Sequence, residues 1–176
     1  AVLHNFPDTD FAAVPRRSPS EDLRDWLDGA PYVLGQGAGS PRRYFDQLVE
    51  AVLLTEHLKL VVVGPVDTDA VARLTQRYGP DFANRVYLAG WVPQMDIPQY
   101  IDHAVASVVL YDISTDNLRL CAPNRLYQAV SRGTPVVVGV NPPMAAFVQK
   151  HGCGVVLKDD GRDARGLAEA LEIAVQ

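Results

Sequence analysis

Cysteine, lysine and positive net charge are all scarce in this chain. Its 176 residues include 2 Cys, only 3 of its 16 basic residues are Lys, and its net charge is -5. A negative balance disfavours DNA or RNA as the main partner, because binding to a phosphate backbone requires basic surface. Cys121 and Cys153 suit a reducing cytoplasm, which is the compartment we predict, and a single disulfide between them stays open as an alternative.

The sequence also lacks a long hydrophobic run. No apolar segment approaches the ~20 residues that a membrane-spanning helix requires. Residues 1–5 have neither the basic charge nor the apolar core of a signal peptide. Hydrophobic residues make up 48% and charged residues 21%, which is ordinary for a globular protein long enough to bury its own core.

From residue 31 onward, apolar β-rich runs alternate with segments of helical periodicity. The runs are mostly continuous, as in parallel strands buried on both faces, and lie at 32–34, 59–63, 86–88, 106–111, 135–138 and 155–157. Segments with helical spacing alternate with these runs, at 41–56, 68–78, 96–102, 123–132, 143–150 and 164–175. Ser40 and Pro41 predict an N-cap and first turn for the first of these helices. The alternation predicts an α/β fold, a doubly wound, Rossmann-like parallel sheet of about six strands with helices on both faces.

The predicted topology also locates a binding site. In the strand order 3-2-1-4-5-6, strands one and four flank the point where the order reverses, and ligands bind there at the carboxyl ends of the strands. The site should therefore lie between residues 35–40 and residues 112–124. Residues 1–30 do not follow the alternation, and we interpret them as an interdomain connector with a short helix near 21–27, followed by a binding domain at 31–176.

A glycine-rich loop follows the first strand. Gly35, Gly37 and Gly39 precede a predicted helix, whose free amide N–H groups and dipole favour an anion. The G-x-G-x-G spacing is not the dinucleotide fingerprint, and no Gly-Lys-Ser/Thr follows to make a P-loop. Arg42 and Arg43 could add charged hydrogen bonds to a phosphate; the alternative is a tight turn with two solvated arginines.

A second loop, at residues 112–122, has no repeating pattern and many side chains that can form hydrogen bonds. A loop of this length at a switch point is typical of a functional segment. The helix that follows begins at Pro123 and Asn124, so its free N–H groups should face the glycine loop, a geometry suited to a diphosphate. Gln128 lies one turn further, where its amide could bond a hydroxyl.

Several other chemistries are disfavoured. His4, His57 and His151 have no metal-ligand spacing with a cysteine or carboxylate, so we predict no metal site. The chain has no G-x-S-x-G elbow for a hydrolase nucleophile. His103 is best interpreted as a surface residue at a helix end.

Five segments together resemble one enzyme family. Residues 128–137, Q-A-V-S-R-G-T-P-V-V, resemble the E-A-M-A-x-G-x-P-V-V segment of GT-B glycosyltransferases of family 4, the glycosyl transferases group 1. Residues 123–133 are similar to the P-N-K-L-F-E-Y-M-x-x-G run of one branch. Three further segments also resemble parts of this family. Residues 4–11 resemble the linker into its C-terminal domain, residues 58–64 its K-L-x-I-V-G strand, and residues 85–93 its R-V-x-F-x-G-x-V-P segment. All five segments occur along the chain in the order that they have in the family.

This resemblance implies half of a two-domain enzyme. The family places two Rossmann-like domains face to face, with the acceptor mostly on the first and the nucleotide sugar on the second. The chain resembles the second, donor-binding half. The implied activity moves a sugar from a nucleoside diphosphate sugar to an acceptor hydroxyl, with retention, and the fragment alone should be inactive. The implied partner is an N-terminal acceptor-binding domain, which could also make a peripheral membrane contact; donor binding should need no metal or other cofactor.

The resemblance also implies site residues. The backbone around Gly90, Trp91 and Val92 would meet the base. The residues implied for the donor and its diphosphate, including the arginines and loops described above, are Gly35, Gln36, Gly37, Arg42, Arg43, Asn117, Asn124, Arg125 and Gln128. No catalytic residue is assigned.

Three positions depart from the family pattern. Gln128 replaces a glutamate, Leu120 stands where a second glutamate would fall, and Gln36 replaces a common diphosphate-binding arginine. Two alternatives stay open, and the missing glutamates favour the second of them. One is a nucleotide-sugar epimerase of the same architecture, for which Asp112 and Asp116 would be the available acid/base carboxylates. The other is a non-catalytic module that binds a nucleotide or a partner protein.

Overall fold

A computed structural model describes residues 7–37 and 39–175, and within them six parallel strands form one sheet. The strand order is β3-β2-β1-β4-β5-β6, which confirms the predicted doubly wound topology. The strands are β1 Tyr32–Gln36, β2 Lys59–Val63, β3 Val86–Gly90, β4 Ala106–Val109, β5 Val136–Val138 and β6 Gly154–Val156.

Helices cover both faces of this sheet. In chain order they are α1 Thr9–Ala13, α2 Glu21–Leu27, α3 Phe45–Leu54, α4 Thr68–Tyr78, α5 Pro80–Arg85, α6 Pro98–Ile101, α7 Asp116–Arg119, α8 Asn124–Ser131, α9 Pro142–His151 and α10 Ala164–Val175. Single 3-10 turns lie at Pro41–Arg43 and Gln94–Asp96. The short helices α1, α5 and α7 were not predicted, because segments of four to six residues carry too little periodicity to be recognised.

The four inner strands β1, β2, β4 and β5 are buried on both sides, as their continuous apolar runs predicted, whereas the edge strands β3 and β6 are only partly buried. Along β2, Leu60 and Val62 belong to one core cluster, which includes residues of α3 and α10. Val61 and Val63 belong to the other cluster, with residues of α1, α2, α8 and α9. This strict alternation follows from the two-residue period of a strand and places one layer of helices on each face.

The helix predicted at residues 41–56 is interrupted. Pro41–Arg43 form a 3-10 turn, and Tyr44 adopts a left-handed conformation with φ of 54° before α3 begins at Phe45. Ser40 takes the predicted N-cap position with Pro41 in the first turn, although the turn is a 3-10 segment and the Ser40 side chain makes no capping hydrogen bond. The interruption changes the direction of the chain immediately after Arg43.

The segment before β1 packs against the sheet. Phe11 of α1 and Leu23 of α2 are both fully buried in the second core cluster. The helix predicted near 21–27 is α2, with those bounds. Residues 1–6 of the predicted connector lie outside the described residues, and the boundary predicted at residue 30 stays a prediction.

A buried ion pair attaches this segment to the helices of the sheet's second face. Arg132, which caps the end of α8, donates from Nε to Oδ1 of Asp102 at 2.7 Å, and the two side chains are 5% and 0% exposed. Nη2 also donates to Asp102, and Nη1 donates to the carbonyl oxygens of Ala12 at 3.0 Å and Val14 at 2.7 Å. One guanidinium thus joins the end of α8, the end of α6 and the end of α1.

We expect Arg132→Met to destabilise the protein strongly. The substitution leaves the Asp102 carboxylate buried without a counter-charge, which costs about 3–5 kcal/mol of unfolding free energy. Urea denaturation with linear extrapolation measures the change. The control is Arg17→Met, since the Arg17–Asp96 pair is solvent-exposed and spans 4.0 Å, and it should change stability little. Equal stability of the two variants would contradict the assignment of Arg132 as an anchor.

Candidate functional site

A cleft opens at the carboxyl ends of the adjacent strands β1 and β4, where the strand order reverses. The two strands pair at Val33↔Ala106 and Leu34↔Ser107, and their following loops separate beyond that point. The cleft has a volume of about 490 Å³. It is lined by Gln36, Gly37, Arg43, Trp91, Val92, Gln94, Ile97, Tyr111, Pro123, Asn124, Arg125 and Gln128. This is the location that the predicted topology indicated.

Two arginines converge on the turn after β1. Arg43 donates from Nη1 to the carbonyl oxygen of Gly37, and Arg125 donates from Nη1 to that of Gln36 at 2.6 Å. A Cβ atom at Gly37 would lie 2.8 Å from Nη1 of Arg43 and 3.3 Å from Nη1 of Arg125. Both guanidinium groups also lie over the ring of Tyr111, at 5.3 Å and 4.5 Å from its centroid. The glycine and the tyrosine thus hold two like charges side by side.

Arg125 is buried, and no carboxylate of the described residues pairs with it. Arg125 is 6% exposed, and its Nε and Nη2 atoms have no hydrogen-bond partner among the described residues. Burial lowers the pKa of its guanidinium to about 10, and the positive charge of nearby Arg43 acts in the same direction. Among the described residues that line the cleft there is no Asp or Glu. An unpaired buried cation is costly, so this arrangement is suited to an anion that enters from solvent.

The first turn of α8 adds to this positive potential. The helix begins at Asn124, directly beside Arg125, and Pro123 precedes it without a side-chain capping bond. The N–H groups of a first helical turn have no intrahelical partners, and the helix dipole makes this end favourable for negative charge.

A pair of glutamines lies deeper in the cleft. Nε2 of Gln36 donates to Oε1 of Gln128 at 2.8 Å. Oε1 of Gln36 is buried without a partner among the described residues, so an acceptor is left for an incoming donor. The sequence predicted Gln36 as a diphosphate ligand and Gln128 as a hydroxyl ligand; their mutual bond was not predicted, because it joins residues 92 positions apart.

Eight of the predicted site residues line the cleft: Gln36, Gly37, Arg43, Trp91, Val92, Asn124, Arg125 and Gln128. Gly35 lies within β1 and Gly90 ends β3, one position before the cleft. The carbonyl of Arg42 accepts from the Asp112 N–H at 3.0 Å, which ties the two loops together, while its side chain lies outside the lining. Asn117 lines a neighbouring cavity.

One wall of the cleft is apolar and exposed. Trp91 is 78% exposed, and Val92 and Ile97 continue this wall toward the interior. Ile97 and Gln94 were not among the predicted site residues; they belong to a 3-10 turn and its C-cap, at the start of the segment predicted as a helix at 96–102. Tyr111 was also missed, although its position at the end of a predicted strand was a usable signal.

A second cavity of about 720 Å³ adjoins the cleft and shares Arg43, Tyr111 and Pro123 with it. Its other lining residues come from the loop after β4 and from α7: Asp116, Asn117, Leu118, Leu120, Cys121 and Ala122. The loop carboxylates have local partners. Asp112 accepts from the N–H of Ser114 at 2.9 Å and from its hydroxyl, which lowers the pKa of the carboxyl, and Asp116 pairs with Arg119 at 2.9 Å.

Residues 7–37 and 39–175 lack two further kinds of feature, a metal cluster and a membrane-spanning helix. No group of three or more His, Cys, Asp or Glu side chains is close enough there to hold a metal ion. Nor does this part of the chain contain a helix with the length and apolar character needed to cross a membrane.

Sequence comparison identifies a family. The model of the family described as Glycosyl transferases group 1 matches residues 32–176, which is most of the chain and confirms the resemblance stated above. Comparison with curated proteins gives no match.

Solved structures share the fold. HepE of Anabaena in complex with UDP aligns with a TM-score of 0.75 at 22% identity, covering 99% of this chain and 47% of HepE. HepE with UDP-glucose aligns at 0.74 and 21%, covering 100% and 48%. Sucrose-phosphate synthase from Thermosynechococcus elongatus aligns at 0.69 and 22%, covering 91% and 42%. The chain thus spans about half the length of these proteins.

We expect Arg125→Met to stabilise the ligand-free protein. An apolar side chain of similar length removes a buried charge that has no counter-ion, and we expect a gain of about 1 kcal/mol in unfolding free energy. Urea denaturation measures the change. The matched comparison is Arg132→Met on the same helix, where the change has the opposite sign. A loss of stability in Arg125→Met would mean that the guanidinium serves the fold rather than a ligand.

Proposed function

This chain belongs to the glycosyl transferases group 1 family, and we propose that it is the half of a glycosyltransferase that binds the nucleoside diphosphate sugar. The observation that carries the proposal is the convergence of Arg43 and Arg125 on one turn, without a carboxylate among the described lining residues. A diphosphate supplies the negative charge that these two cations lack. Arginine suits it well, because a planar guanidinium can donate two parallel hydrogen bonds to phosphate oxygens.

The rest of the cleft fits the remainder of such a donor. The buried Oε1 of Gln36 and the amide of Gln128 can accept from and donate to ribose hydroxyls. The apolar wall at Trp91 and Val92 offers a surface for the base. HepE has been solved with UDP and with UDP-glucose, which makes uridine diphosphate the first ligand to test.

Sugar transfer requires the leaving diphosphate to be stabilised as its negative charge develops. Arg43, Arg125 and the first turn of α8 would provide this stabilisation as fixed charges and dipoles, with little reorganisation during the reaction. The two arginines supply the positive charge that a metal ion supplies at other phosphate sites, so we expect donor binding in the presence of a chelator. Retention at the anomeric carbon, implied by the family resemblance, is part of the proposal.

The acceptor is assigned to a second domain. The chain covers 47% of HepE, which leaves room in a full-length enzyme for an acceptor-binding half and a peripheral membrane contact through it. We propose a cytoplasmic enzyme in which this chain binds the donor and the other half brings the acceptor hydroxyl to the sugar. The isolated chain should therefore bind nucleotide and transfer no sugar.

Calorimetric titration with UDP, GDP and ADP, in buffer containing EDTA, tests donor binding. We expect at least one to bind, and Arg43→Ala to weaken it by about 10- to 100-fold, because hydrogen bonds to charged groups are worth about 1.5–3 kcal/mol. Arg165→Ala, which removes an exposed arginine of α10, is the charge-matched control and should leave the affinity unchanged. The absence of binding by all three nucleotides would refute the proposal.

The glutamine pair makes a separate prediction about the ribose. The parent chain should bind UDP about tenfold more tightly than 2′,3′-dideoxy-UDP, since buried amide groups are left unpaired when the hydroxyls are removed. Gln128→Ala should reduce this ratio toward one, while exposed Gln76→Ala should leave it intact. If Gln128→Ala leaves this affinity ratio unchanged, Gln128 does not bind the ribose hydroxyls.

A further inference from the structure

Asp160 connects three loops beside the cleft. Its carboxylate is buried, in a residue that is 1% exposed. It accepts hydrogen bonds from the hydroxyl of Tyr44, from the N–H of Ile113 at 3.4 Å and from Nε of Arg162 at 2.7 Å. These donors belong to the segments that follow β1, β4 and β6, so one carboxylate links the loops that leave three strands.

The backbone at Asp160 is itself fixed by close packing. A Cβ atom at Gly139, which follows β5, would lie 2.9 Å from Cα of Asp160, so the two backbones touch where no side chain would fit. The N–H of Val140 also donates to the carbonyl oxygen of Asp159 at 3.0 Å. The backbone of Asp160, which follows β6, is therefore packed tightly against the chain that leaves β5, and its carboxylate is held in a fixed position.

Tyr44 is the residue that Asp160 holds on the β1 side. It has φ of 54° and ψ of 43°, a left-handed conformation that brings the Cβ of an L-residue close to the carbonyl oxygen. Non-glycine residues keep such a conformation only where their surroundings impose it. The turn ends the 3-10 segment, since the Tyr44 N–H donates to Pro41 at 3.1 Å, and starts α3, since its carbonyl accepts from Leu48 at 2.8 Å.

We infer that Tyr44 and Asp160 are positioning residues for the anion site, because their hydrogen bond holds the left-handed turn that directs Arg43 onto Gly37. Tyr44 acts through its neighbour in the chain, as it does not itself line the cleft. The inference rests on the proposed function, since it assigns a support to one of the two arginines that bind the diphosphate.

The protonation states suit this hydrogen bond. Burial raises the pKa of the Asp160 carboxyl, but hydrogen bonds from Arg162 and Tyr44 outweigh it, and the pKa lies below its ordinary value. Burial and the bond to Asp160 raise the pKa of the Tyr44 phenol. An ionised acceptor and a protonated donor therefore face each other near neutral pH, which makes the bond charge-assisted.

A double-mutant cycle tests the inference by calorimetry with UDP. Tyr44→Phe keeps the ring and removes the hydroxyl, and should weaken binding by about three- to tenfold, less than Arg43→Ala does, because Arg43 is still present but is held less firmly on Gly37. In the Arg43→Ala background the same substitution should change the affinity by less than about twofold, because the group that it positions is gone. A merely structural role would weaken binding equally in both backgrounds.

Controls separate this inference from the proposed function. Tyr78→Phe also removes a buried hydroxyl, one without a partner among the described residues, and should leave UDP binding unchanged. Asp160→Asn weakens the same hydrogen bond by removing the charge of its acceptor. Adding Tyr44→Phe to that variant should change the affinity for UDP little further. Unchanged affinity in Tyr44→Phe, or equal losses in both Arg43 backgrounds, overturns the inference while leaving donor binding intact. A parent chain that binds no nucleoside diphosphate refutes the proposed function and the inference together.

Discussion

Because the strand order reverses between β1 and β4, the loops that leave these neighbouring strands diverge and expose the backbone at their ends. The site depends on that divergence. The carbonyls of Gln36 and Gly37 would otherwise continue a sheet ladder, and here they accept from Arg125 and Arg43. The ring of Tyr111, just after β4, lies against both guanidinium groups. The topology thus provides both the gap and the acceptors that hold positive charge in it.

The two arginines at opposite ends of α8 have different roles. Arg132 at the end of α8 has a buried carboxylate and two carbonyl oxygens around it, so its charge is fully compensated within the fold. Arg125 in the first turn has a single carbonyl partner and a lowered pKa. A fold that tolerates the second arrangement gives up stability at that point, which is a common property of binding sites.

Much of the fold follows from local sequence, and the site follows only in part. Continuous valine-rich runs and helical periodicity were sufficient for the six strands, their order and the position of the cleft. The left-handed turn at Tyr44 was not predictable, because a distant carboxylate at Asp160 imposes it on a residue with no such preference. The bond between Gln36 and Gln128 and the burial of Arg125 likewise depend on tertiary packing. The family resemblance assigned roles to these residues and contained none of these contacts.

The anchoring of residues 12 and 14 by Arg132 has a mechanical consequence. Helix α8 has 8 residues, a stiff rod about 12 Å long at 1.5 Å per residue. At one end of this helix Arg132 bonds Ala12 and Val14, and the other end presents its first turn to the cleft. A displacement of residues 12–14 would therefore act on the same helix whose first turn contributes positive potential to the cleft.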